Sequence, residues 1–326
     1  MQVKILGSAA GGAFPQWNCA CENCRAVRTG RFEGKPRTQT QVAISQNGRS
    51  WFLLGASPDL RNQIEATPEL HPREGLRQTP IAGVVLANAD IDHVLGLLLL
   101  RELQPLRVHA TASVRKILCE DNSMFGMLER IPEQTVWTDF ASREKFGLRH
   151  AQGEDSGLRC QAWSLSEHYP AYVTAERRAQ LTAGEASLGF IVDSGTPDSR
   201  DTDAGTIDLR GADSPSGARL AYMPAVPQVD DALLEQLESC DVVLFDGTFW
   251  SDDELIRVQG SGQTGRQMGH VPVESTLIKL AGVCRPRKIF LHINNTNPML
   301  NEASDQSRQV RDAGWEIAED GWQFNL

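Results

Sequence analysis

Ile81-Ala-Gly-Val-Val-Leu-Ala87 runs straight into Asn88-Ala89-Asp90-Ile91-Asp92-His93. A short continuous apolar run bounded by turn residues predicts a buried strand. The hexapeptide then sets two carboxylates and an imidazole at that strand's carboxyl end. An apolar stretch through Glu102 follows and predicts a helix. Loops at the carboxyl ends of buried strands are where a rigid scaffold converges side chains on one point. Asp90 and Asp92 also have a plainer use, as caps of the helix behind them.

The same punctuation recurs downstream. Val242-Val-Leu-Phe-Asp246 and Lys288-Ile-Phe-Leu-His292 are short apolar strands ending in an acid and a histidine, and Arg219–Met223 is a third strand of this kind. Outward from these, Val3–Gly7 predicts a strand that ends in the small-residue loop Ser8-Ala-Ala-Gly-Gly-Ala13. Gln41–Ser45 and Ser50–Leu54 predict a hairpin around Asn47-Gly48. Pro58 is placed to start a helix over Asp59–Ala66. Leu106–Ala110 predicts a strand and Thr111–Cys119 a helix. Residues 135–173 have β character, and Asp230–Glu238 and Val273–Ala281 predict helices. The Asp-, Ser- and Gly-rich segment 197–216 predicts an exposed insertion. Hairpins followed by strands alternating with helices predict two sheets with helices outside, in one α/β domain spanning 1–326.

Three hundred and twenty-six residues can bury a sizeable core. The charge of -10 argues against nucleic acid or an anionic membrane as partner, because both require a basic face. The longest strongly apolar run, Val94–Leu100, is far short of the roughly 20 residues of a membrane helix. Met1-Gln-Val-Lys-Ile-Leu6 reads as a strand rather than a leader, which makes the cytoplasm the expected compartment.

Asp92, His93 and His292 offer two imidazoles and one carboxylate. That donor set suits Fe(II) with open positions, and equally a single Zn(II) with an activated water. Taken alone, His292 at a strand end is more often a hydrogen-bonding residue, and Asp246 can satisfy turn amides. Cys19, Cys21 and Cys24 form Cys-x-Cys-x-x-Cys. Three thiols in an expected cytosolic chain fit a soft metal better than disulfides. Cys119, Cys160, Cys240 and Cys284 stand singly and read as small hydrophobes.

The order of these pieces resembles the metallo-β-lactamase superfamily, whose signature loop His-x-His-x-Asp-His stands here as Asn88-Ala-Asp90-Ile-Asp92-His93. Asp246 in Phe-Asp-Gly-Thr-Phe-Trp and His292 in Leu-His-Ile-Asn-Asn-Thr-Asn-Pro are similar to its later acid and closing histidine. Met-Gly-His270-Val-Pro-Val-Glu-Ser-Thr resembles the histidine loop of the branch with the tRNA-processing nuclease and the phosphonate-pathway phosphodiesterase. His168 in Leu-Ser-Glu-His-Tyr-Pro falls near the family's third histidine. Gly-Ser-Ala-Ala-Gly-Gly-Ala-Phe-Pro-Gln-Trp-Asn-Cys-x-Cys-x-x-Cys extends the resemblance to the pyrroloquinoline quinone biosynthesis B family. The resemblance implies an αββα four-layer sandwich with the site along one edge of the sheets. Asn88 and Asp90 replace the histidines of the first metal position, and Ala225 stands where the bridging acid is expected. What remains implies one metal at Asp92, His93 and His292, flanked by His270, Asp246 and Asp90.

The resemblance also implies a structural Zn²⁺ at Cys19, Cys21 and Cys24. Its fourth ligand is open between Asn295, His270, Asn297 and water. The implied function is Fe²⁺- and O₂-dependent hydroxylation of the tyrosine ring in a Glu–Tyr-derived small-molecule precursor, with arginines expected to hold the substrate carboxylates. A metal-dependent hydrolase is the alternative. A third is a carrier binding the quinone or its precursor for transport to the periplasm. A homodimer is left open.

Overall fold

The computed structural model describes residues 1–195 and 217–326, so the insertion expected at 197–216 lies outside the described residues. The first sheet is built from β1 (Gln2–Gly7), β2 (Gln41–Ser45), β3 (Trp51–Leu54), β4 (Ile81–Val85), β5 (Leu106–Ala110) and β6 (Thr135–Asp139). The second contains β7 (Lys145–Arg149), β8 (Asp155–Ser166), β9 (Ser187–Ser194), β10 (Arg219–Met223), β11 (Val242–Asp246), β12 (Arg287–Leu291) and β13 (Trp315–Ile317). The last strand, β14 (Gln323–Asn325), returns to the first sheet beside β1. The orders are β14-β1-β2-β3-β4-β5-β6 and β13-β12-β11-β10-β9-β8-β7.

Side-chain alternation accounts for the four layers. In β11, Val242 and Leu244 join the core between the sheets, while Val243 and Phe245 join the core under the outer helices. In β12, Ile289 and Leu291 face inward and Phe290 outward, stacked on Trp315 at 4.2 Å. In β4, Val85 faces inward and Ile81 and Val84 face outward. Strands buried on both faces read as unbroken apolar runs, which is why their sequence shows no alternation. The expected αββα sandwich is what the chain forms.

Strand direction positions the site. β3 to β6 are parallel in the first sheet, and β10 to β13 in the second. Their carboxyl ends carry the polar loops, and Leu188 N–H to Ala87 O (2.9 Å) ties the end of β4 to β9 across the sheets.

The helix expected through Glu102 is one α-turn, Ile91–Val94, followed by 3₁₀ turns over Leu95–Leu100. The cause is tertiary. His93 O accepts from Ala56 N–H (2.7 Å), and Gly96 N–H donates to Ala56 O (2.8 Å). A Cβ at Gly96 would lie 2.3 Å from Ser57 O, so only glycine lets this backbone approach. The contact fixes the backbone of His93 from outside its own helix.

Candidate active site and cysteine cluster

Asp92 and His93 come from the loop after β4, and His292 from the residue after β12. Asp92 Oδ2 lies 3.4 Å from His292 Nε2 and 3.8 Å from His93 Nε2. One ligand atom from each of the three residues falls within 4.8 Å of the others. Bonds of about 2.0–2.2 Å in tetrahedral or octahedral angles set ligand atoms roughly 3.0–3.5 Å apart. The donor set and its spacing therefore fit one divalent ion. His93 is buried, which pushes its imidazole down to about 4 and keeps it neutral, as a ligand must be. Burial alone would raise Asp92, but His93 and His292 beside it hold its carboxyl well below the usual range.

His292 has φ +58°, a left-handed backbone unusual for a side chain with a Cβ. Its carbonyl oxygen lies 2.9 Å from Thr248 Oγ1, and Ile293 N–H donates to Ser8 O at 3.0 Å. The small-residue loop after β1 passes over the carboxylate here: a Cβ on Gly11 would sit 3.1 Å from Asp92 Oδ2.

Asp246 and His270 form a second group that shares His292. Asp246 is fully buried. Its Oδ2 accepts from Val226 N–H (2.8 Å) and pairs with His270 Nδ1 (2.8 Å). Its Oδ1 accepts from Thr248 N–H (3.0 Å) and Thr248 Oγ1–H (2.6 Å). A carboxylate has about four lone-pair sites. These four contacts hold Asp246 in place among its neighbours. It also does what the plainer reading assigned it, satisfying turn amides. Burial would lower His270, but the Asp246 charge and hydrogen bond raise it. The rings of His93, His292 and His270 stack in sequence, each pair 5.3 Å apart.

A pocket of about 190 Å³ opens onto these groups, and its walls include Asn88, Asp90, Ser166, His168, Ala225 and His270. Asp90 stands at the helix N-cap position but makes no side-chain cap, so the capping alternative does not hold for it. Burial and Asp92 push its carboxyl up to about 6. His168 reaches the wall without joining either ligand group among the described residues. Among the described residues no arginine or lysine lines this pocket, although the charge of Arg178 acts on His168 at its wall. A larger cavity of about 260 Å³ lies at the opposite end of the same strands, by Ser50 and Ile81, with no ligand group among its described walls.

The sulfurs of Cys19, Cys21 and Cys24 also lie within 4.8 Å of one another. Asn295 Nδ2 is 3.2, 3.6 and 3.4 Å from them. The other protein candidates for a fourth ligand are elsewhere: His270 is paired with Asp246, and Asn297 Nδ2 donates to Gly247 O at 3.0 Å. An amide's oxygen and nitrogen are interchangeable by rotation, so Asn295 can turn Oδ1 to a cation in the same place. Burial and the neighbouring Cys19 and Cys24 push the Cys21 thiol up to about 12. Hydrogen bonds from the cluster pull Cys19 the other way despite its burial, and all three would ionise together only around a positive ion.

Sequence reasoning missed two residues. Thr248 touches Asp246, His270 and His292 at once; its only signal is its place two residues after Asp246. Tyr172, whose hydroxyl donates to Ala89 O beside Asp90, gives no signal at all.

Residues 50–293 match the beta-lactamase superfamily domain. The chain is 40% identical, over the full length of both proteins, to the coenzyme PQQ synthesis protein B of Methylobacterium sp. (strain 4-46). It is similar to the crystal structure of Zn(2+)-bound PqqB from Methylobacterium extorquens, with 36% identity, full coverage of both chains and a TM-score of 0.84. A diphosphatase of the PhnP family, 17% identical over all of this chain and 97% of its own with a TM-score of 0.62, shares the fold. With identity of this order along its whole length and the superfamily domain across its middle, the chain belongs to the coenzyme PQQ synthesis protein B family of the metallo-β-lactamase superfamily.

Proposed function

We propose that the protein is a mononuclear non-haem iron oxygenase of pyrroloquinoline quinone biosynthesis, which hydroxylates the tyrosine ring of a Glu–Tyr-derived precursor. The observation that carries this reading is the approach of His93 Nε2 and His292 Nε2 to one oxygen of Asp92. Ferrous iron held by two imidazoles and a carboxylate would supply the redox chemistry that activates O₂. The family supports the biosynthetic context, and the losses at Asn88, Asp90 and Ala225 support one ion rather than two.

The chain's own residues do the rest. His93 is kept neutral by burial and Asp92 is held ionised, so both are ready to bind a cation. Asp90, on the pocket wall, faces the substrate with a carboxylate and can hold the precursor's amine. His270 keeps a proton through Asp246 and can hold or move one at the pocket wall. In the absence of a wall arginine among the described residues, the substrate's carboxylates are left to the metal and the histidines.

The Asp246–His270 pair also supports a hydrolytic reading, in which His270 protonates a leaving group. One experiment separates the two. Protein stripped of metal is reloaded anaerobically with Fe(II) or Zn(II) and given the cross-linked Glu–Tyr dipeptide with and without O₂. With ascorbate added to every arm as the two-electron donor, oxygenation predicts a product heavier by one oxygen atom, the other oxygen leaving as water, from the iron form and only with O₂. Equal conversion by the zinc form without O₂ establishes the hydrolase instead.

A further inference from the structure

Thr248 Oγ1 lies within hydrogen-bond distance of four atoms: Asp246 Oδ1 (2.6 Å), His292 Nδ1 (2.8 Å), His292 O (2.9 Å) and His270 Nδ1 (3.1 Å). A hydroxyl has one hydrogen to give and two lone pairs to receive. Asp246 Oδ1 and the His292 carbonyl can only accept, and the short contact to the carboxylate is the stronger claim on the hydrogen. The two ring nitrogens therefore meet the lone pairs of Oγ1, and must carry hydrogens themselves. His270 shares its Nδ1 hydrogen with Asp246 Oδ2 at 2.8 Å. His292 has Thr248 for its Nδ1.

The geometry points to Thr248 as the positioning residue that holds His292 in the Nδ1–H tautomer, with the Nε2 lone pair aimed at Asp92 and His93. The opposite tautomer would place a hydrogen on Nε2, where Asp92 Oδ2 at 3.4 Å would accept it. It would also require Oγ1–H to turn away from Asp246. Thr248 thus opposes the pull of Asp92 on the ring. The contrast with His93 is direct, because its buried Nδ1 has no hydrogen-bond partner among the described residues. His93 is oriented by its backbone and its packing, whereas His292 is oriented by a hydroxyl. A buried imidazole that binds a metal through one nitrogen is set by what the other nitrogen touches.

This inference rests on the metal site proposed above, and its test is chosen to separate the two. Thr248→Val removes the hydroxyl at nearly constant shape, and Thr248→Ser keeps it. The first readout is the ¹⁵N shifts of the histidine rings in metal-free protein, with His292 assigned against His292→Asn. The second is titration of metal-free protein with Co(II), whose absorption distinguishes thiolate from nitrogen–oxygen coordination. In the wild type, His292 is expected as Nδ1–H. Thr248→Val is expected to move it toward Nε2–H and to weaken Co(II) binding at the nitrogen–oxygen site by roughly 10–100-fold. Thr248→Ser is expected to restore both. An unchanged tautomer and affinity in Thr248→Val overturns the inference, as does a serine variant that fails like the valine. Wild-type protein that binds no Co(II) outside the cysteines would instead sink the metal site, with the ring shifts still judging Thr248.

Discussion

Glu254 is a carboxylic acid closed off from water behind the loop that follows His292. It is 6% exposed. Its Oε2 accepts from Trp250 N–H at 2.6 Å, and its Oε1 accepts the Thr296 hydroxyl. Burial outweighs these hydrogen bonds and pushes its pKa from 4.5 to about 7. That change corresponds to about 3 kcal/mol between the protonated and ionised forms. The sign follows from linkage. The folded state holds the proton more tightly, so this contribution is fully present below about pH 4.5 and is lost as pH rises through about 7. Glu254→Gln stays neutral throughout. Its amide can accept from Trp250 N–H but must offer hydrogens to Thr296, at a cost of about 1 kcal/mol. The variant should therefore be slightly less stable than wild type near pH 5 and more stable near pH 8, with the difference moving by about 2–3 kcal/mol. Urea unfolding of both proteins at the two pH values measures it. A gap that stays constant to within about 0.5 kcal/mol would refute the argument that Glu254 is buried at the expense of its charge.

Other expected outcomes concern the two clusters. Cys21→Ser should lower the melting temperature and release about one equivalent of Zn(II), read by elemental analysis beside calorimetry; fully folded wild type that contains no zinc would count against the structural ion. His93→Ala and His292→Ala should lose iron and hydroxylation together, because each removes one of few protein ligands; if both bind iron and turn over normally, the site is misplaced. His270→Ala should keep iron yet slow single-turnover hydroxylation by roughly 10²–10⁴-fold, as expected for a proton-handling group. Loss of iron in that variant would make His270 a ligand.

The strands that carry the site could be read almost to the residue. β5, β10 and β11 have the bounds expected from their apolar runs, and β4 and β12 differ by one or two residues at their ends. Burial on both faces writes itself into consecutive residues, so a local pattern suffices. The 3₁₀ turns over Leu95–Leu100 escaped, because the hydrogen bonds that divert the helix come from Ala56, about forty residues earlier. Asp92 and His292 were legible as ligand types, yet they are 200 positions apart and meet only because β4 and β12 end on the same edge of the sandwich. Thr248 was not legible. Threonine after a strand-end acid is a common turn residue, and only the parallel register that sets Asp246 against Leu291 brings it under His292.

That register also explains how a left-handed residue is tolerated at the centre of the site. A backbone at φ +58° outside glycine costs of order 1–3 kcal/mol and persists only when its surroundings over-determine it. The segment from His292 to Asn297 is held from four sides. Thr248 takes the His292 ring, and Ser8 takes Ile293 N–H. Asn295 lies over the three sulfurs, while Asn23 Nδ2 donates to the carbonyls of Asn295 and Asn297 at 3.2 Å. Thr296 closes onto Glu254. Each tie is a hydrogen bond worth about 1 kcal/mol net, so together they exceed the strain. The cysteine loop and the candidate active site therefore share one piece of backbone. Asn295, which lies over the sulfurs, is only three residues along the chain from His292.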